Sequence, residues 1–183
     1  YSHAYPNAIR PVLEIIKKEE GVRRIAAASI MFSKQGPIFL SDATININPT
    51  AEELANIALL TARAVKFFGL EPSVAMLSYS NFGSAVSESS LKVREAVAYL
   101  HKNHPDLVVD GEIQANFALN PDKIAKNYPF SKLNNGKAAN VLIFPNLEAA
   151  NISYKLLKET EHLDTIGPVI LGLTKPIHVA TLG

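Results

Sequence analysis

No cysteine occurs among the 183 residues, which excludes a disulfide framework and any thiolate metal centre. Neither sign of charge dominates: 18 basic residues face 17 acidic ones, and the basic ones are scattered, so the stripe that a nucleic-acid backbone needs is missing. No apolar run approaches the ~20 residues that span a bilayer, and nothing resembles a signal peptide. The expected setting is therefore the cytoplasm, with neither nucleic acid nor membrane as partner. Tandem repeats, the GxGxxG fingerprint, the Walker pattern and the nucleophile elbow are all absent, which leaves nicotinamide binding within this chain without support. The five histidines, His3, His101, His104, His162 and His178, follow no ligand spacing, and no metal is assigned. His101 and His104 close a helix, where positive charge suits the dipole.

What remains is a chain rich enough in apolar residues to build one substantial core. "PVLEIIKKEEG" places Val12, Ile15 and Ile16 on one helical face between Pro11 and Gly21, predicting a short helix. "RRIAAASIMF" and "PIFLSDA" are β-compatible runs joined by turn residues. "TAEELANIALLTARAVKFFG" offers Thr50 and Glu53 as a capping box and apolar positions at Leu54, Ile57, Ala58, Thr61, Val65 and Phe68, with Gly69 as its stop. Further on, "SVAMLS", "DLVVDGEI", "ANVLIFP", "IGPVILG" and "PIHVATL" read as strands. A helix with Val93, Ala96, Val97 and Leu100 inward follows the first of them, and another helix follows the third. Residues 116–137 read as a long connection holding one short helix. Strands alternating with helices predict a three-layer α/β/α architecture around a mixed, largely parallel sheet. The chain opens at Tyr1 without a methionine and ends directly after an apolar run, as part of a longer polypeptide would.

Ligands of open α/β sheets gather outside the carboxyl ends of the strands, and three such ends carry chemistry. In "SYSNFGS", Ser80, Asn81 and Ser84 offer polar groups and Gly83 permits close backbone approach, as a phosphate cradle would; loop and capping chemistry would use the same residues. Asp110 and Glu112 flank Gly111, a carboxylate pair open to acid/base work or to plain turn and ion-pair duty. After "VLIFP", Asn146 can cap a helix on which Glu148, Asn151 and Lys155 form one polar stripe, a ligand contact or a solvated face.

Together "SVAMLSYSNFGSA", "PDLVVDGEIQANFAL", "KAANVLIFPNLEAANISYKLL" and "IGPVILGLTKPIHVATLG", with "SDATININPTAEELANIA" before them, resemble in order and spacing the second half of the phosphate acetyl/butyryl transferases. Within that family the likeness is closest to the transferase-like C-terminal region of bacterial NADP-dependent malic enzymes. The resemblance implies an isocitrate/isopropylmalate dehydrogenase-like fold, a ligand cleft between two domains, and a homodimer or larger homo-oligomer. It also implies acetyl-CoA or a related acyl-CoA as ligand, with NADP and a divalent metal confined to upstream domains of the parent. Transferases carry Ser-Arg-Gly where this chain has Thr181, Leu182 and Gly183. They carry a basic residue in the polar loop where Phe82 stands. Leucine cannot give phosphate the bidentate contacts of a guanidinium. The resemblance thus points to a regulatory and oligomerising domain without catalytic residues of its own. A working phosphate acetyltransferase and a purely structural dimerisation domain are the alternatives.

Overall fold

The computed structural model describes residues 16–22, 24–174 and 177–178. In chain order the elements are β1 (Ala26–Ser33), β2 (Gly36–Ser41), α1 (Ala51–Phe67), β3 (Val74–Leu77), α2 (Glu88–Asn103) and β4 (Val109–Ile113). They continue with α3 (Ala115–Ala118), α4 (Pro121–Asn127), β5 (Val141–Ile143), α5 (Leu147–Glu161), β6 (Thr165–Leu171) and β7 (Ile177–His178). Among the described residues these strands form one seven-stranded sheet in the order β4-β3-β5-β2-β1-β6-β7. β4, β3, β5 and β2 run parallel, whereas β1 is antiparallel to both β2 and β6, and β7 to β6. The sheet is mixed, as expected from the sequence.

Strand alternation sorts the core into two layers. Val74 and Met76 of β3, with Val141 and Ile143 of β5, face α1 and α2. Ala75, Leu77 and Leu142 face the opposite layer, which includes Ala118, Ile124 and Ala150. α1 begins as its sequence dictates: the Thr50 hydroxyl accepts from Glu53 N–H at 3.2 Å while Glu53 accepts from Thr50 N–H at 2.9 Å. Its expected inward residues Leu54, Ile57, Ala58, Thr61 and Val65 are buried, but Phe68 is half exposed at the helix end. The inward face expected of α2, Val93, Ala96, Val97 and Leu100, is buried throughout.

Two expectations change. Of the helix expected over residues 11–21, residues 11–15 lie outside the described residues, and Lys18 instead forms an isolated antiparallel bridge with Leu173. Residues 116–137 hold more order than a connection with a single helix. Asn120 caps α4 by accepting from Lys123 N–H at 3.0 Å, and Pro121 starts it, so α3 and α4 are separate turns. Ile124 and Leu133 then bury themselves against the sheet.

Candidate functional site

The loop after β3 closes around Glu112 at the end of β4. Glu112 is fully buried. Its Oε1 accepts from the Ser80 hydroxyl at 2.9 Å, from Gly83 N–H at 2.7 Å and from Arg94 Nη2 at 3.0 Å, while Oε2 accepts from Arg94 Nε at 3.1 Å. Burial alone would raise this carboxyl, but the Arg94 fork and the backbone and Ser80 donors outweigh it and hold it at about 2. The glutamate is therefore ionised at neutral pH, the wrong state for a general acid there.

The loop's remaining polar groups are also committed. Ser80 accepts from Ala85 N–H at 3.0 Å. Asn81 Oδ1 takes Gln114 N–H at 2.8 Å, and Ser84 Oγ takes Asn81 N–H at 2.9 Å. The Gly83 N–H that a phosphate would seek holds a protein carboxylate instead. Phe82, at φ 45°, packs on Tyr128 and Phe130 with ring centroids 4.9 and 5.1 Å away. Asp110 is buried with separate partners: Ser131 Oγ and Lys132 N–H each donate to its Oδ2 at 2.8 Å, and His101 Nε2 lies 3.7 Å from Oδ1. No hydrogen bond joins the two carboxylates among the described residues, so they are not assembled as an acid/base pair.

At the carboxyl ends of β2, β3 and β5 the surface opens into clefts. One of about 350 Å³ runs between Ser78 and Tyr79 after β3 and Pro145, Asn146 and Ala149 after β5. A second, about 470 Å³, shares Asn146 and Ser89 and adds Thr50, Ser87 and Lys92. Asn146 caps α5 by accepting from Ala149 N–H at 2.9 Å. A third cleft, about 420 Å³, lies on the other side of α5 and takes in Asn151 and Lys155. Glu148 is exposed and borders none of these three. Thus Ser80, Asn81, Gly83, Ser84 and Glu112 form one network, Asn146 serves two clefts, and Asn151 and Lys155 belong to another. Thr181 and Leu182 lie outside the described residues.

The loop from Asp42 to Asn48 separates the last two clefts; its sequence carries part of the family resemblance but offered no candidate site residue. Asp42 accepts from the N–H groups of Thr44 and Ile45 at 2.8 and 2.9 Å and from Asn46 Nδ2 at 2.5 Å. Burial nonetheless raises its carboxyl, the backbone bonds opposing. The same loop carries Asn48, whose Oδ1 accepts from Lys92 Nζ at 2.8 Å while Pro145 O accepts from it at 3.0 Å. Burial lowers the Lys92 ammonium, with Glu88 pulling the other way. Lys92 and Arg94 went unnoticed because in sequence they look like an ordinary charged helix surface. Only the fold shows which strand ends they reach.

A mixed sheet whose parallel strand ends open into polar clefts defines the class: an α/β domain of mixed sheet and helices. The chain belongs to the phosphate acetyl/butaryl transferase family, whose model matches residues 1–183. It is 39% identical over 180 residues to the NADP-dependent malic enzyme of Haemophilus influenzae, covering 98% of this chain and 24% of that protein. To the phosphate acetyltransferase of Bacillus subtilis it is 38% identical over 182 residues, covering 100% of this chain and 56% of that protein. Among solved structures, the EutD phosphotransacetylase from Staphylococcus aureus superposes with a TM-score of 0.88 at 36% identity, over 98% of this chain and 55% of that one. A phosphotransacetylase from Streptococcus pyogenes gives 0.88 at 38% identity, over 100% and 55%. The chain therefore spans about a quarter of the malic enzyme and about half of the transferases.

Proposed function

We propose that this chain is the transferase-like regulatory and assembly unit of an NADP-dependent malic enzyme, retaining the acyltransferase fold without its transfer chemistry. The observation that carries this reading is the pair Thr181 and Leu182, where the transferases have serine and arginine. Transfer from an acyl phosphate needs preorganised positive charge on the phosphate oxygens as charge shifts in the transition state, and leucine supplies none. The similarity to malic enzymes is consistent with this placement. In this reading malate oxidation, NADP and a divalent metal belong to residues outside this chain, and acetyl-CoA occupies the clefts beside Tyr79 and Asn146 as an effector.

Support for assembly comes from α5, whose Ile152, Leu156 and Leu157 are exposed at 59%, 59% and 37%. Such a stripe suits a symmetric homodimer, the commonest closed assembly. A second reading, an active phosphate acetyltransferase with the Thr181 hydroxyl in the serine's place, draws on the near-equal identity to transferases. Titrating acetyl-CoA against malate oxidation by the full-length protein tests the effector. A coupling of ~1–3 kcal/mol would lower activity severalfold or more, and Tyr79→Ala should weaken the inhibition. Malate oxidation indifferent to acetyl-CoA removes the effector role.

A further inference from the structure

Three helices begin at one cleft. The second cleft takes in Thr50, Ser87 and Asn146, the N-caps of α1, α2 and α5, so the positive ends of three helix dipoles meet there. The caps are spent on their own helices: Thr50 Oγ1 accepts from Glu53 N–H and Ser87 Oγ from Ser90 N–H, each at 3.2 Å, and Asn146 Oδ1 from Ala149 N–H. Pro49 adds an apolar wall. What remains is Asn48, whose Oδ1 holds Lys92, and three residues of α2: Glu88, Ser89 and Lys92 itself.

An ammonium is poorly placed here. Burial already lowers Lys92, with Glu88 opposing, and three positive dipole ends repel the same charge. Lys92 has no ion pair among the described residues; the two acceptors of its Nζ, Asn48 Oδ1 and Pro145 O, are neutral. A lysine so placed is held partly as the free amine, which is a nucleophile. Imine formation with an aldehyde would need a positioned acid to expel water, and the cleft's one carboxyl residue, Glu88, is exposed. An acyl donor brings its own leaving group. The oxyanion that forms at its carbonyl is met by the dipole ends and by Ser89, one turn from Lys92 on the same face of α2, whose hydroxyl has no partner among the described residues.

We infer that Lys92 is a site of covalent N-acylation by a small activated acyl donor, an acyl phosphate or an acyl thioester, and that the modification unties the two loops it joins. Lys92 first loses one proton to water, and its lone pair then attacks the acyl carbon. The N–C bond forms, the bond from that carbon to the phosphate oxygen or thioester sulfur breaks, and the leaving group departs with the bonding pair and takes up the second proton. The resulting amide keeps a single N–H. It cannot donate to both Asn48, after β2, and Pro145, after β5, which Lys92 bonds at 2.8 and 3.0 Å. A backbone bond between the same loops, from Leu147 N–H to Ile47 O at 2.9 Å, then loses its support.

The test supplies acetyl phosphate and acetyl-CoA separately to the full-length protein and reads the occupancy of each lysine by mass spectrometry. Lys92 should be acetylated severalfold faster than the exposed Lys102 and Lys137. Acetyl phosphate acting alone assigns an acyl phosphate donor, acetyl-CoA alone a thioester, and both together the acyl chemistry they share. Hydrogen exchange reads the second half: the Leu147 amide should exchange severalfold faster in the acetylated protein and in Lys92→Gln than in the unmodified wild type. Lys92→Arg, which keeps more than one donor and resists acylation, should exchange as the wild type does and ignore acetyl phosphate. The inference is overturned if neither donor acetylates Lys92 faster than Lys102 and Lys137, or if acetylation leaves Leu147 exchange unchanged. Inhibition of malate oxidation by acetyl-CoA with Lys92 unmodified by either donor would overturn it too, while leaving the effector reading in place.

Discussion

Glu112 shows how one residue can resemble catalytic machinery and serve the fold. Its carboxylate is covered by the loop it organises, and its cationic partner Arg94 keeps a side chain 42% exposed. Removing that partner leaves a buried anion with only neutral donors, which costs more than removing the pair together. Arg94→Met is expected to lower stability, by less than the loss of a fully buried pair because the guanidinium is partly hydrated. The Arg94→Met, Glu112→Gln double variant should recover part of the loss in urea unfolding; a double variant less stable than Arg94→Met alone contradicts the assignment. The pH dependence has a definite sign. Because the folded carboxyl is held at about 2, below its ordinary 4.5, its contribution is complete above pH 4.5 and declines as pH falls toward 2. Wild type should therefore lose stability relative to Glu112→Gln across that window. The sequence located Glu112 and its loop but could not tell recognition from packing, because Ser80, Asn81 and Gly83 would be chosen for either.

At the scale of elements, strong local rules survived best. The capping box of α1 and the inward face of α2 follow from sequence because both depend on residues three or four apart on one helix. The order β4-β3-β5-β2-β1-β6-β7 does not, since pairing across the sheet joins segments with no local signature. α5 differs from both: of its fifteen residues only Ala150 is fully buried, so packing against the sheet cannot account for its apolar stripe. That face is where a second copy should bind. Leu156→Lys combined with Ile152→Lys is expected to shift the full-length protein toward monomers in sedimentation velocity at micromolar concentration, with the far-ultraviolet spectrum unchanged. A wild-type protein that sediments as a monomer across that range, or a double variant that stays dimeric, contradicts a role for α5 in assembly.

For the whole molecule, fold and chemistry separate. A family-wide match and TM-scores of 0.88 to phosphotransacetylases establish the architecture, and architecture alone does not carry reaction. The polar clefts lie at the ends of the parallel strands, while the pair on which transfer depends in the resemblance is threonine and leucine here. The central claim is that such a molecule keeps recognition and lacks transfer. It is tested most directly by assaying the full-length protein for acetyl-CoA formation from CoA and acetyl phosphate, beside a variant carrying Thr181→Ser and Leu182→Arg. No turnover above background is expected in the wild type, and measurable turnover once serine and arginine are restored. Robust acetyl-CoA formation by the wild-type protein would contradict it.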